Sequence, residues 1–271
     1  MVWAFSGHEP YPNHTDLSLE GLLIPIWALA LLCFGITVAY ASVGLGGGTA
    51  YTALLAILGA SHQMIPTVSL LLNVVVTTIG SAIFLRARHG RADLILPFVS
   101  TSVPAAYLGG LLEVSPDLFY RLLLITLVIV AARIFIWKDA ALDIRLGRFG
   151  RIATSLAVGT GLGLVAGIVG IGGGIYLVPL ILMLGLGTER EAAAAGAVFT
   201  WINSVAGLAA RVQRPGLEWT QLAPLAGAVA IGAVLGAWMG ATWLSRRALQ
   251  RVLGVIVIVA IALLIDDVFV G

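Results

Sequence analysis

The sequence predicts an all-α polytopic membrane protein built from two inverted-topology repeats, each a re-entrant half-helix hairpin plus three transmembrane helices. Three observations carry that prediction. The 271 residues are 60% apolar and only 10% charged, whereas soluble domains run near a quarter charged. Long stretches carry no charge at all, beginning with the 65 positions from Gly21 to Leu85, and one crossing takes about 20 apolar residues. Finally, Gly44-Leu45-Gly46-Gly47-Gly48 returns as Gly170-Ile171-Gly172-Gly173-Gly174, a shift of 126 residues. Fifteen basic and 13 acidic residues could not solvate a soluble protein of this size. The same composition excludes a basic nucleic-acid-binding face, and Cys33, the single cysteine, excludes a disulfide scaffold.

Trimmed by turn signals, the apolar runs predict helices near 22–43, 49–60, 65–85, 94–112, 118–137, 152–169, 175–187, 191–210, 220–244 and 249–267. Segments 49–60 and 175–187 reach only about 20 Å at about 1.5 Å per residue, too short to span. They are expected as half-helices that fold back to the side they came from. This divides the chain into an external segment 1–20, repeat 1 over 21–137, a cytoplasmic linker 138–151 and repeat 2 over 152–271. Residues 1–20 lack the basic start and small-residue cleavage site of a signal peptide.

Orientation follows from the basic residues. One set of loops holds three Lys or Arg (Arg121, Arg211, Arg214) and the other holds the remaining 12. The positive-inside rule makes the second set cytoplasmic and puts both termini outside, in a bacterial-type inner membrane. Trp137, Trp219 and Trp243 fall at predicted helix ends, where interfacial aromatics belong.

The 126-residue shift also maps Gly59 on Gly185, Gly90 on Gly216, Gly110 on Gly236, and one short segment on the other. Each half holds three full crossings, an odd number, so the second half begins on the opposite face. Inverted repeats with discontinuous helices are the architecture of secondary transporters, which place substrate near the midplane between repeats.

Three consecutive glycines break a helix and leave amide groups unobstructed by Cβ atoms. Irregular backbone at membrane depth persists only where protein or a cavity satisfies it. Both runs immediately precede a half-helix, whose N-terminus carries about half a positive charge. Two such ends aimed at one midplane cavity make an anion site from Gly46, Gly47, Gly48 and Thr49 on one side and Gly172, Gly173, Gly174 and Ile175 on the other. Gly159-x-Gly161-x-Gly163 has the look of a nucleotide fingerprint, but no strand precedes it. Gly163-xxx-Gly167 and Gly232-xxx-Gly236-xxx-Gly240 read as small-residue helix packing.

The paired G-x-G-G-G segments, the second continuing Ile175-Tyr176-Leu177-Val178-Pro179, resemble the TauE/SafE sulfite exporter family of membrane permeases over roughly residues 25–267. The resemblance implies export or exchange of small sulfur or organic oxyanions such as sulfite, sulfoacetate and related sulfonates. The family's Thr-Ser doublet after each short helix is altered here. Thr67 and Ser69 flank Val68 in the first repeat, and only Ala192–Ala195, Gly196 and Ala197 stand in the second.

Further donors are sought on the helices after the half-helices. Asn73 and Thr77 share a face, with Ser69 a turn earlier. The 126-residue register lays Thr77 on Asn203, beside Ser204, with Thr200 three residues before. Asparagine in hydrocarbon either bonds a neighbouring helix or lines a cavity, and threonine commonly bonds its own helix backbone. Tyr51 and Tyr176 follow the glycines, with hydroxyls that need partners; Trp201, inside a span, either walls the cavity or packs. His8, His14, His62 and His89 fall in the tail and loops, not at ligand spacing, so no metal or cofactor is expected, and nothing has an enzyme's nucleophile–His–acid pattern.

No Asp, Glu, His or Lys lies mid-span, which disfavours a carboxylate proton relay. Moving one negative charge outward gains about 2.3 kcal/mol per 100 mV of inside-negative potential. The expected partners are therefore a small anionic substrate and the lipid bilayer, with no nucleic acid and a homo-oligomer left open. A channel-like anion pore, a lactate-type carboxylate carrier, a non-transporting subunit and a cation carrier stand as alternatives, the last disfavoured by the lack of intramembrane acids.

Overall fold

The computed structural model describes residues 22–42, 45–135, 147–213 and 219–242, together with Ile258 and Ile261. The predicted helix at 249–267, both termini, most of the linker, Gly44, Gly216, Trp137 and Trp243 lie outside the described residues. Those residues form nine helices and no strand: α1 Ile26–Ser42, α2 Gly48–Ile57, α3 Met64–Arg86, α4 Ala92–Leu111, α5 Pro116–Phe135, α6 Arg148–Val169, α7 Gly174–Met183, α8 Glu189–Arg211 and α9 Trp219–Thr242. Four of them, α3, α4, α6 and α8, are long and apolar enough to cross a membrane. The outward side chains of the bundle include large apolar ones, among them Leu31 of α1, Leu96 of α4, and Ile231 and Trp238 of α9, as a lipid-facing surface requires.

Both half-helices are shorter than expected, ten residues each, or about 15 Å. They end alike. Gly59 and Gly185 take left-handed backbone angles, φ 79° and 58°. The next amide bonds back over the turn, Ala60 N to Leu55 O and Leu186 N to Ile181 O, both at 3.0 Å. This is a Schellman closure, in which glycine supplies the positive φ, and it recurs at the glycine shift of the sequence. Two other boundaries move. α1 begins only after Pro25, whose carbonyl takes the first helical amides. α6 begins at Arg148, so the end of the basic linker is already helical.

Packing exchanges partners between the halves: α1 lies on α9, and α6 on α4. Each pair runs parallel through a glycine stripe. Gly159, Gly163 and Gly167 of α6 press on the Phe98, Ser102 and Ala106 carbonyls of α4, while Gly232 and Gly236 of α9 press on Phe34 and Val38 of α1. The absence of Cβ atoms lets backbones meet, which is where helix association in lipid finds its contact. Gly159, Gly163, Gly167, Gly232 and Gly236 are thus packing residues, whereas Gly161 faces open space. Helices α3 and α8 cross antiparallel at the centre: Leu70 meets Gly207, and the Trp201 indole N–H donates to Thr78 Oγ1 at 2.9 Å.

Candidate functional site

Each half-helix begins at the middle of the bundle, where α3 and α8 cross. Before α7, Gly170 closes α6 at φ 89°, and Gly172 and Gly173 follow at 77° and 83°. Three left-handed residues within four positions are accessible only to glycine without strain. Before α2, Gly47 caps the helix at φ −86° with no side-chain cap, and the Tyr51 ring lies over it.

The two bends meet. A Cβ on Gly46 would lie 2.8 Å from Asn73 Oδ1, 2.9 Å from Thr77 Cγ2 and 3.3 Å from Thr200 Cγ2. One on Gly172 would lie 2.6 Å from Thr200 Cγ2, 3.0 Å from Ser204 Oγ and 3.2 Å from Asn73 Nδ2. One on Gly48 would strike Asn73 and come within 2.6 Å of Ile171 O, in the opposite bend. Asn73 and Thr200 therefore touch both bends. The pair Asn73 and Thr77 faces the first run as Thr200 and Ser204 face the second, one position further along than the glycine register. That register had laid Thr77 on Asn203.

Hydrogen bonding at the centre is incomplete. Thr200 Oγ1 accepts from Gly174 N at 3.1 Å, capping α7 from another helix instead of bonding its own backbone. Thr77 does bond its own helix, at Asn73 O, 2.6 Å. Asn73 Nδ2 donates to Gly170 O over a long 3.5 Å, with its Oδ1 on the side of Gly46. Asn73 Oδ1 and Ser204 Oγ, which face the bends, are buried without a partner among the described residues, as are Ser69 Oγ and both amide atoms of Asn203 on the same two helices. Buried polar groups are nearly always bonded, so such a cluster of orphans points to a ligand or solvent. Next to the bends, beside Thr77, Leu45 and Ala197, lies a mostly apolar cavity of about 20 Å³, room for about one water.

Other predicted residues are engaged elsewhere. Tyr51 Oη bonds Thr37 Oγ1 at 2.6 Å, Thr49 Oγ1 bonds Tyr40 Oη at 2.9 Å, and Tyr176 Oη donates to Thr126 O at 3.0 Å. These bonds tie α2 to α1 and α7 to α5. Ile175 packs in the apolar core. Trp201 is 37% exposed on the bundle's outer side and bonds Thr78.

Two residues take roles that the sequence did not assign them. Ser204 was visible as the i+4 mate of Thr200, the spacing already noted for Asn73 and Thr77. Arg211 was counted as a loop residue, yet it is 3% exposed. Its guanidinium donates to Gly167 O at 2.9 Å and Ile168 O at 3.0 Å. A cation there satisfies α6 carbonyls at the negative end of the helix dipole, and so steadies the helix that leads into the second bend.

Comparison with known proteins follows this geometry. The family model described as Sulfite exporter TauE/SafE matches residues 29–264. The chain belongs to this family. It is also 33% identical over 239 residues to a Sinorhizobium fredii protein named "Probable membrane transporter protein y4hK", covering 86% of this chain and 95% of that one. No solved structure matches the chain. This TauE/SafE member is accordingly a multi-pass membrane transporter and not an enzyme.

Proposed function

We propose that the protein exports small sulfur or organic oxyanions, such as sulfite or sulfoacetate, through a site shared by the two glycine bends. The single observation that carries this reading is the meeting of Gly46, Gly48 and Gly172 on Asn73 and Thr200, with orphaned Asn73 and Ser204 atoms alongside. Backbone amides of both bends and the α2 and α7 dipoles supply donors and partial positive charge; Ser204 and Asn73 add neutral contacts. Such a site binds an anion without a fixed cation, hence weakly enough to release it.

The halves act as inverted repeats, residues 21–137 and 152–271, joined by the basic linker 138–151. The antiparallel crossing of α3 on α8, equivalent elements in the two halves, supports the inversion, as does the exchange of α1–α9 for α6–α4 packing. The linker and the arginine-rich ends face the cytoplasm of a bacterial-type inner membrane, with both termini outside. The close approach of the two bends, with Gly48 against Ile171 O and Gly172 against Thr200, favours a gated carrier over a channel-like pore.

Proteoliposomes loaded with sulfite test the reading. An inside-negative potential should accelerate efflux, at about 2.3 kcal/mol per 100 mV for a monoanion, and Gly173→Leu should stop it. Flux indifferent to both would contradict the mechanism.

A further inference from the structure

We propose that a second, outer site for the same oxyanions lies where the N-terminal ends of α4 and α6 form the mouth of the protein, with Arg151 and Ser155 as its binding groups. The inference rests on the oxyanion reading above and concerns the route to the central site. An open cavity of about 280 Å³ occupies this end, lined by Asp93, Pro97 and Phe98 of α4, Arg151 and Ser155 of α6, and Leu186 after α7. It is smaller than the roughly 300–1,000 Å³ of drug-sized pockets, which suits a compact solute.

Three features give the cavity its chemistry. Helices α4 and α6 run parallel, so both turn positive dipole ends toward it. Ser155 lines the cavity while only 5% exposed, and no hydrogen bond engages its hydroxyl among the described residues. Arg151, one turn before Ser155 on the same face, has no ion-pair partner among the described residues. The one lining carboxylate, Asp93, is occupied by Arg91 at 2.5 Å, which also reaches Glu191 at 3.5 Å. The cavity therefore offers an uncommitted guanidinium and a free hydroxyl, a donor pair for an oxyanion head.

What lies behind the cavity gives the site its role. Phe98 belongs both to the cavity wall and to a buried cluster with Leu177, Ile181 and Phe199. The Phe199 ring in turn lies 2.9 Å from where a Cβ on Gly173 would be. An apolar plug thus separates the mouth from the second glycine bend. Anions gathered by Arg151 wait outside that plug, raising local substrate concentration.

The test is sulfite flux in oriented proteoliposomes at low and high salt, with substrate supplied from either face. Arg151→Gln should raise KM about fivefold with kcat unchanged, only when sulfite is on the α4/α6 face, and the difference should vanish at about 1 M salt. Arg151→Lys should stay near wild type, and Ser155→Ala should raise KM by a smaller factor. An unchanged low-salt KM for Arg151→Gln, or a KM raised equally from both faces, overturns the outer site. That result, with wild-type flux still abolished by Gly173→Leu, leaves the central site standing. Absent wild-type sulfite flux, or flux insensitive to Gly173→Leu, fails the oxyanion reading instead.

Discussion

In the bend before α2, none of Gly46, Gly47 and Gly48 has a positive φ. In the bend before α7, Gly170, Gly172 and Gly173 all do. The first run needs glycine for space, because Asn73, Thr77 and Tyr51 side chains and, at Gly48, the Ile171 backbone carbonyl fill the positions where Cβ atoms would stand. The second needs it for backbone conformation and for space together. The same motif therefore meets two demands, and only the second is fixed by the run's own backbone angles. Crowding by a side chain can relax by rotation; a left-handed backbone cannot be relieved that way.

This difference sets an order of expected effects. Gly173→Leu adds left-handed strain of about 1–3 kcal/mol to a clash with the Phe199 ring. It should abolish transport and lower the melting temperature, as flux assays and thermal denaturation would show. Gly47→Ala requires no left-handed backbone and meets first the outer end of the Tyr51 ring, a side chain, and should retain measurable flux; equal damage at the two positions would erase the distinction. Thr200→Val removes the cap on Gly174 N and strands a buried amide, at about 1–3 kcal/mol. It should weaken anion binding more than Thr77→Val, whose hydroxyl serves its own helix. Tyr51→Phe and Tyr176→Phe lose one anchoring bond each, about 1 kcal/mol. They should lower the melting temperature slightly and leave KM unchanged, because both hydroxyls are already bonded within the bundle, to Thr37 Oγ1 and Thr126 O.

The half-helices were legible in the sequence because a glycine run followed by a short apolar segment has one physical reading in a membrane. Asn73 and Thr200 were legible for a related reason, since a polar side chain in hydrocarbon must face something polar. The register across the repeats was less so. Glycine spacing aligned the bends, but the facing contacts of α3 and α8 are offset by one residue, so Ser204 and not Asn203 stands against Gly172. Tyrosine partners were illegible: that the Tyr51 hydroxyl, over Gly47, bonds Thr37 depends on where α1 packs, which no local pattern encodes. Arg211 misled for the same reason, because a basic residue at a helix end suggests a loop until the α6 carbonyls are seen beside it. Trp201 shows the converse, a mid-span position that faces outward.

The central claim is that the two bends form one anion site. Equilibrium sulfite binding to the purified protein, measured by calorimetry for wild type, Gly46→Ala, Gly172→Ala and the double variant, tests it most directly. The account predicts that each single substitution removes most of the affinity and that the double loses little more, the non-additivity expected of groups that share a ligand. Independent, additive losses, or full binding in either single variant, would contradict it.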